Sequence, residues 1–381
     1  MDFLFPSVHF GLYALMMGDG MEGETERGGD SAGESPSAAG NAGVQRLMSH
    51  LNGYSAITML SLGHRSGLLA ALLEGGGTAS ELARRAGTHE RSTEEWLAGL
   101  TAAGYACHDD GVFALVEGQD EVFRPGMLPF DVTILLEVKD KFATLMGQVV
   151  DSLRDGRGVP YAAYQPEFSA AQDRLNSPKY ERYLIDDFVA SADGVIDQLE
   201  QGAQVADIGC GGGKALTILA ARFPSSTFTG YDIDEDALRI GRARAAEAGL
   251  HNVHYEAGDA ARLDLAQSLD LVLAVDAIHD QGRPQDVLRT VRRSLRAGGT
   301  FLMIEPLATG DVDTDSQHPM APMMYANSLG HCVQVSLAAG GPGLGSMWGR
   351  AKAIPMLKAA GFEHVSVYES PSDNAVYAAR P

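Results

Sequence analysis

The chain has 381 residues, 45% of them hydrophobic and 21% charged, which is ample for packed cores and, at about 150 residues per domain, for two domains and a remainder. The formal net charge of −21 argues against nucleic acid or an anionic membrane surface as the main partner, because both are polyanions. Cys107, Cys210 and Cys332 are an odd number with no CxxC spacing, which argues against a disulfide framework or zinc cluster and fits a reducing, cytoplasmic compartment.

The chain opens on an apolar stretch from Phe3 to Met17. Asp2 stands where a signal peptide needs positive charge, no small-residue cleavage site follows, and about 15 residues are too few to span a bilayer. Residues 18–45 are rich in Gly, Ser, Ala, Pro and Glu, with seven acids against Arg27 alone between residues 1 and 45. Residues 1–44 are therefore expected to be a disordered leader, or to precede the native start. From Val44 to Glu74 apolar residues recur at helical spacing (Leu47, Leu51, Tyr54, Ile57, Leu60, then Leu68, Leu69, Leu72, Leu73), predicting one or two helices broken around Gly63.

Thr78-Ala-Ser-Glu81 is a capping box for a short helix through Ala86. A second helix from about Ser92 to Ala103 would bury Trp96, Leu97 and Leu100. Tyr105–Cys107 and Val112–Leu115 flank a turn at Gly111 and read as a hairpin. Helix, turn, helix and hairpin make a winged helix, placed here as a domain over 45–119. Across 78–116 six acids face three arginines, and the would-be recognition helix carries Glu94 and Glu95. Duplex binding needs phosphate neutralisation, so pairing of subunits is the better use of this domain.

Residues 120–200 read as a helical linker that also supplies a substrate pocket, with a last amphipathic helix over Tyr180–Leu199. From Gln204 the pattern alternates strand and helix. Strands are predicted at Gln204–Ile208, Thr227–Tyr231, Val253–Glu256, Leu269–Val275, Thr300–Ile304, His364–Tyr368 and Ala375–Ala379. This is an α/β fold, a doubly wound and mostly parallel seven-stranded sheet over 201–381, with ligand at the carboxyl ends of its strands.

Three features narrow the ligand. The first turn reads Asp207-x-Gly209-x-Gly211-x-Gly213, an even spacing unlike the G-x-G-x-x-G of dinucleotide binders. Asp232, at the tip of the second strand, is placed to accept from two ribose hydroxyls. Gly258-Asp259-Ala260 follows the third strand, where a carboxylate would suit an adenine amino group.

Together these resemble the class I S-adenosylmethionine-dependent methyltransferases, over about 200 to 381. The resemblance implies S-adenosylmethionine as cofactor, held by Asp207, Gly209, Cys210, Gly211 and Gly213 in the first loop. Asp232, Ile233, Asp259, Ala260 and Asp276 would complete that set. Asp276-Ala-Ile-His279-Asp280 resembles the His-Asp motif of small-molecule O-methyltransferases, which carry an N-terminal winged-helix dimerisation domain. It implies His279 as general base on a substrate hydroxyl, Asp280 beside it and Glu305 as the flanking acid. Gln281-Gly282 replaces that family's usual Trp, which alters the local substrate wall.

Residues 306–349 are the most individual segment, and the Gly-rich stretch up to Gly349 resembles a bacterial set of winged-helix methyltransferases of mostly unassigned substrate. Met323, Met324, Tyr325, Met347 and Trp348 are expected to form an adaptable apolar lid, with His331 as a polar pocket residue and Gly340–Gly345 as a tight loop facing the site. The alternative for His279, Asp280 and His331 is a facial metal site, resembling a C-methyltransferase type that holds iron. The resulting expectation is methyl transfer to an oxygen of a small organic acceptor by a cytoplasmic homodimer, with neither nucleic acid nor membrane as partner. The rivals are C- or N-methylation, metal-assisted or not, and a cofactor-bound regulator without chemistry.

Overall fold

The computed structural model describes residues 38–124, 130–265 and 267–381. The leader expected over 1–44 lies outside them as far as residue 37, and residues 38–44 are helical rather than disordered. The chain forms two compact units, one ending at Asp120 and one running from Glu121 to Pro381.

In the first unit a helix spans Ala38–Ser66 and breaks at Gly67, whose φ of 81° suits a residue without a Cβ. Gly63, the break expected from sequence, stays inside this helix because the Trp96 ring packs against its bare Cα, with the indole N–H donating to the Met59 carbonyl at 2.7 Å. Helices at Leu68–Glu74, Ala79–Ala86 and Glu90–Ala102 follow, and Thr78 and Glu81 form the reciprocal capping box. Strands β1 (Ala106–Asp109) and β2 (Val112–Leu115) make the antiparallel wing.

The second unit begins with helices Val132–Asp155 and Glu167–Tyr183. The single helix expected over 180–199 is instead a π-helical turn, Leu184–Val189, then a separate helix Val195–Gln201 opened by Gly194 at φ 77°. The sheet comprises β3 (Gln204–Ile208), β4 (Thr227–Asp232), β5 (Val253–Ala257), β6 (Leu269–Val275), β7 (Leu295–Pro306), β8 (His364–Ser370) and β9 (Asn374–Arg380). Their order is β5-β4-β3-β6-β7-β9-β8; the first five are parallel and β9 runs antiparallel to both neighbours.

Strand alternation builds two cores. Val205, Leu271 and Leu273 pack on one face with Leu216, Leu219 and Phe223. Ala206, Val272 and Ala274 pack on the other with Val287, Leu288 and Leu357. Strand order reverses between β3 and β6, which opens a crevice at their carboxyl ends. Helices 132–155 and 167–183 add a third apolar cluster around Tyr164 and Phe168. Among the described residues no single helix is long and apolar enough to cross a membrane.

Candidate active site

The crevice is shaped by the loop that leaves β3. Gly209, Gly211 and Gly213 all adopt left-handed backbone, at φ 71°, 52° and 66°. Gly209 also passes so near the β6 tip that a Cβ would sit 2.7 Å from the Ala277 methyl. The loop is pinned to β4 by the Gly211 N–H, which donates to Asp232 at 2.8 Å, while the other Asp232 oxygen accepts from the Asp234 N–H at 2.9 Å. Arg244 donates to the Gly212 carbonyl and pairs with Asp173 of the 167–183 helix.

Asp207 is 3% exposed, and its Oδ1 is buried without a hydrogen-bond partner among the described residues. Burial, reinforced by the nearby Asp232 charge, pushes its carboxyl up to about 8, so it carries a proton near neutral pH. The cavity around this loop is lined by Gly209, Cys210, Gly211, Asp232, Ile233, Gly258, Ala260 and Asp276, with Gln172 and Asn176 from the 167–183 helix. Asp259 departs from expectation. Its carboxylate accepts from the Ala261 N–H at 3.0 Å and pairs with Arg283, so it caps the turn and stays outside the cavity lining.

A second cavity adjoins the first. After β6 the chain turns at Asp276, a non-glycine residue at φ 51°, and delivers His279. The His279 Nδ1–H donates to Glu305 Oε2, at the end of β7; Glu305 Oε1 accepts from the Ile278 N–H at 3.0 Å. Trp348 donates its indole N–H to the same Glu305 Oε2 at 3.3 Å. Burial alone would lower the His279 pKa, but the Glu305 charge and hydrogen bonding to Glu305 and Cys332 outweigh it and hold the imidazole well above its usual range. Asp280 is pushed up to about 7, by burial first and then by Glu305 and Asp232 against the opposing effect of His279.

The second cavity is lined by apolar side chains, among them Phe142, Leu175, Met320, Met323 and Met324, and by polar ones, among them Lys179, His279, Asp280, Asn327 and Asp373. Phe168, Gln172, Asn176, Asp276, Asp280 and His331 line both cavities. His331 stands among Phe142, Tyr164 and Phe168, with ring centroids 6.2, 4.7 and 4.5 Å away, and its Nε2 is buried and unpartnered among the described residues. Burial, then the His279 charge, pushes it down to about 3, so it is a neutral imidazole.

Several lid expectations need correction. Trp348 is 1% exposed and supports Glu305 from behind, because the long indole fills the core beside β7. Tyr325 is 36% exposed and lies outside both linings, while its neighbours Met323 and Met324 face inward. The Gly340–Gly345 loop packs behind the site instead of facing it. The Gly345 N–H donates to the His279 carbonyl at 3.3 Å, and a Cβ on Gly341 would meet the Gly282 backbone.

The metal alternative of His279, Asp280 and His331 gains no support: among the described residues no three His, Cys, Asp or Glu side chains gather to hold an ion. His279 is committed to Glu305 and His331 to an aromatic enclosure. The sequence assigns a substrate pocket to residues 120–200 without naming the side chains of the 167–183 helix that line it. Gln172, Asn176 and Lys179 recur at four- and three-residue spacing on its inner face, a polar stripe visible in the sequence once the helix is recognised.

Residues 199–361 match the family described as "Methyltransferase domain", and residues 55–113 match the "Rv2258c-like winged HTH domain". A fatty-acid O-methyltransferase of Mycolicibacterium smegmatis is 34% identical over 140 residues, covering 37% of this chain and 47% of that protein. The chain spans about half the length of the curated relatives it matches. Among solved structures, PigF with S-adenosylhomocysteine superposes with a TM-score of 0.69 at 20% identity, covering 88% of this chain and 99% of that one. Human N-acetylserotonin methyltransferase, in complex with S-adenosylmethionine, gives 0.68 at 17% identity, covering 92% and 99%. At these identities the superpositions establish the fold. The chain thus carries an Rv2258c-like winged HTH domain and, C-terminal to it, a methyltransferase domain.

Proposed function

We propose that the chain transfers a methyl group from S-adenosylmethionine to an oxygen of a small organic acceptor, with His279 as general base. The observation that carries this reading is the His279–Glu305 pair opening on the second cavity, next to a glycine-loop cavity that shares its wall. The glycine loop fits the cofactor: Gly209 and Gly211 line its cavity with open space beside the Gly211 Cα, and Asp207, in β3 behind that lining, has one buried oxygen without a partner among the described residues. Asp232 and Ile233 line the same cavity and would hold its nucleoside end. When bound, that cofactor supplies a methyl already activated on a sulfonium.

The chain's own part is orientation and proton removal. Glu305 fixes the imidazole by accepting a hydrogen bond from Nδ1–H, and the other ring nitrogen would take the acceptor's proton. Neutral His331 and the apolar walls keep water out and orient the acceptor. Asp280, fronting both cavities, is a positioning residue for the acceptor end. Incubation with methyl-tritiated S-adenosylmethionine and a panel of phenols and carboxylic acids is expected to label at least one acceptor in organic extracts. Absence of label throughout, with no binding of S-adenosylhomocysteine, overturns the reading.

The winged-helix unit is proposed to pair two subunits. Leu47, Leu51, Tyr54 and Leu62 are 59, 48, 68 and 56% exposed along the Ala38–Ser66 helix, a stripe too apolar to face water alone. Light scattering is expected to give twice the chain mass, and Leu51→Glu with Tyr54→Glu to give monomer; a monomeric wild type removes the proposal. Three unpaired thiols suit a reducing cytoplasm.

A further inference from the structure

Helix 167–183 places a charged side chain that the mechanism above does not use. Lys179 is 7% exposed, and its ammonium donates to the Asp276 carboxylate at the β6 tip. It lines the second cavity, where among the described lining residues it is the one lysine or arginine. Asp276 lines both cavities, and its other oxygen is buried without a partner among the described residues. An ammonium has three N–H donors, and Asp276 is its hydrogen-bond partner among the described residues. Two donors therefore have no hydrogen-bond acceptor among the described residues, on a side chain that lines the second cavity.

The surroundings decide what those donors suit. Desolvating a lysine is costly, and Asp276 offsets that cost while leaving the cation at the cavity wall. Nine residues of the wall are Phe, Leu, Val or Met and form a low-dielectric stretch beside which a hydrogen bond from a charged donor to an anion is strong, while polar side chains, Asp276, Asp280 and Asp373 among them, make up most of the remainder. Asp280, the acid nearest His279 in sequence, is held partly protonated near neutral pH and opposes an anion less than a full carboxylate would.

We infer that Lys179 selects acceptors that carry, apart from the hydroxyl His279 deprotonates, an ionised oxygen such as a carboxylate on an apolar body. This rests on the methyl-transfer reading and names its acceptor class. A cation that grips an ionised oxygen remote from the reacting hydroxyl stabilises the bound acceptor and the transition state alike. Lys179 is therefore a specificity-determining residue. Its loss raises KM for an anionic acceptor and leaves kcat nearly unchanged, the reverse of the pattern for a proton-transfer residue.

The probes are octanoate and octan-1-ol, alike in apolar chain and different in head charge, titrated by calorimetry into protein saturated with S-adenosylhomocysteine. Wild type is expected to bind octanoate about tenfold more tightly than octan-1-ol, the scale of a charge-assisted hydrogen bond. Lys179→Met should erase that preference and Lys179→Arg should keep it, with thermal melting and S-adenosylhomocysteine affinity confirming that each variant is folded. Should Lys179→Met not fold, the wild-type and Lys179→Arg titrations still decide. Equal binding of the two probes by wild type, no binding of either, or an unchanged preference in folded Lys179→Met overturns the inference. Failure of S-adenosylhomocysteine itself to bind counts against the methyl-transfer reading instead.

Discussion

His279→Ala is expected to bind S-adenosylhomocysteine as wild type does while losing about 10²- to 10⁴-fold in turnover, the usual contribution of a positioned general base. The separation follows from placement: His279 lines the second cavity and is absent from the glycine-loop lining. Turnover within a few-fold of wild type would remove His279 from the mechanism. The companion variant is Glu305→Gln. The base form of His279 exists only above its pKa, and Glu305 raises that pKa, so kcat/KM should climb with pH through a value above the ordinary imidazole range. Removing the Glu305 charge takes away the largest influence that raises the His279 pKa, so the rising limb moves toward acid even as the maximum rate falls. A limb that stays in place would mean that another group is the base.

The second large effect is expected at Gly209. Gly209→Ala asks an L-residue to hold φ 71° and to seat a methyl 2.7 Å from that of Ala277. The left-handed backbone alone costs about 1–2 kcal/mol, and the contact forces the loop away from the β6 tip. The shift falls on the backbone that would face the cofactor, so S-adenosylhomocysteine affinity should drop about 100-fold or more, with crowding in a tight site of the order of a further 1–3 kcal/mol. Calorimetry measures it, and a melting curve separates loss of binding from loss of fold. Wild-type affinity in a folded variant would show that the loop does not hold the cofactor.

Much of this was legible in the sequence because it is local. Alternation of apolar residues located the seven strands, and the Asp207–Gly213 spacing and the His279 motif fell at strand ends where topology converges. The Thr78–Glu81 capping box is a contact across three residues and appears as read. What was missed depends on distant pairing. Asp259 looked free until Arg283, 24 residues away, took its carboxylate. Trp348 looked like a lid residue until the β7 end turned Glu305 toward its indole. Lys179 carries no motif at all; it matters only because Asp276, 97 residues later, arrives beside it.

The shared wall has a consequence for how such a site diversifies. Phe168, Gln172 and Asn176 front both chambers, so a change there made for a new acceptor is also felt by the other ligand. Met320, Met323 and Met324 front the acceptor chamber alone, on flexible side chains that tolerate exchange. Two sets of positions follow, one tethered to a common ligand and one free to drift. Descendants of this chain, or engineered libraries, should therefore acquire new acceptors through the methionine side while the 167–183 helix stays nearly fixed.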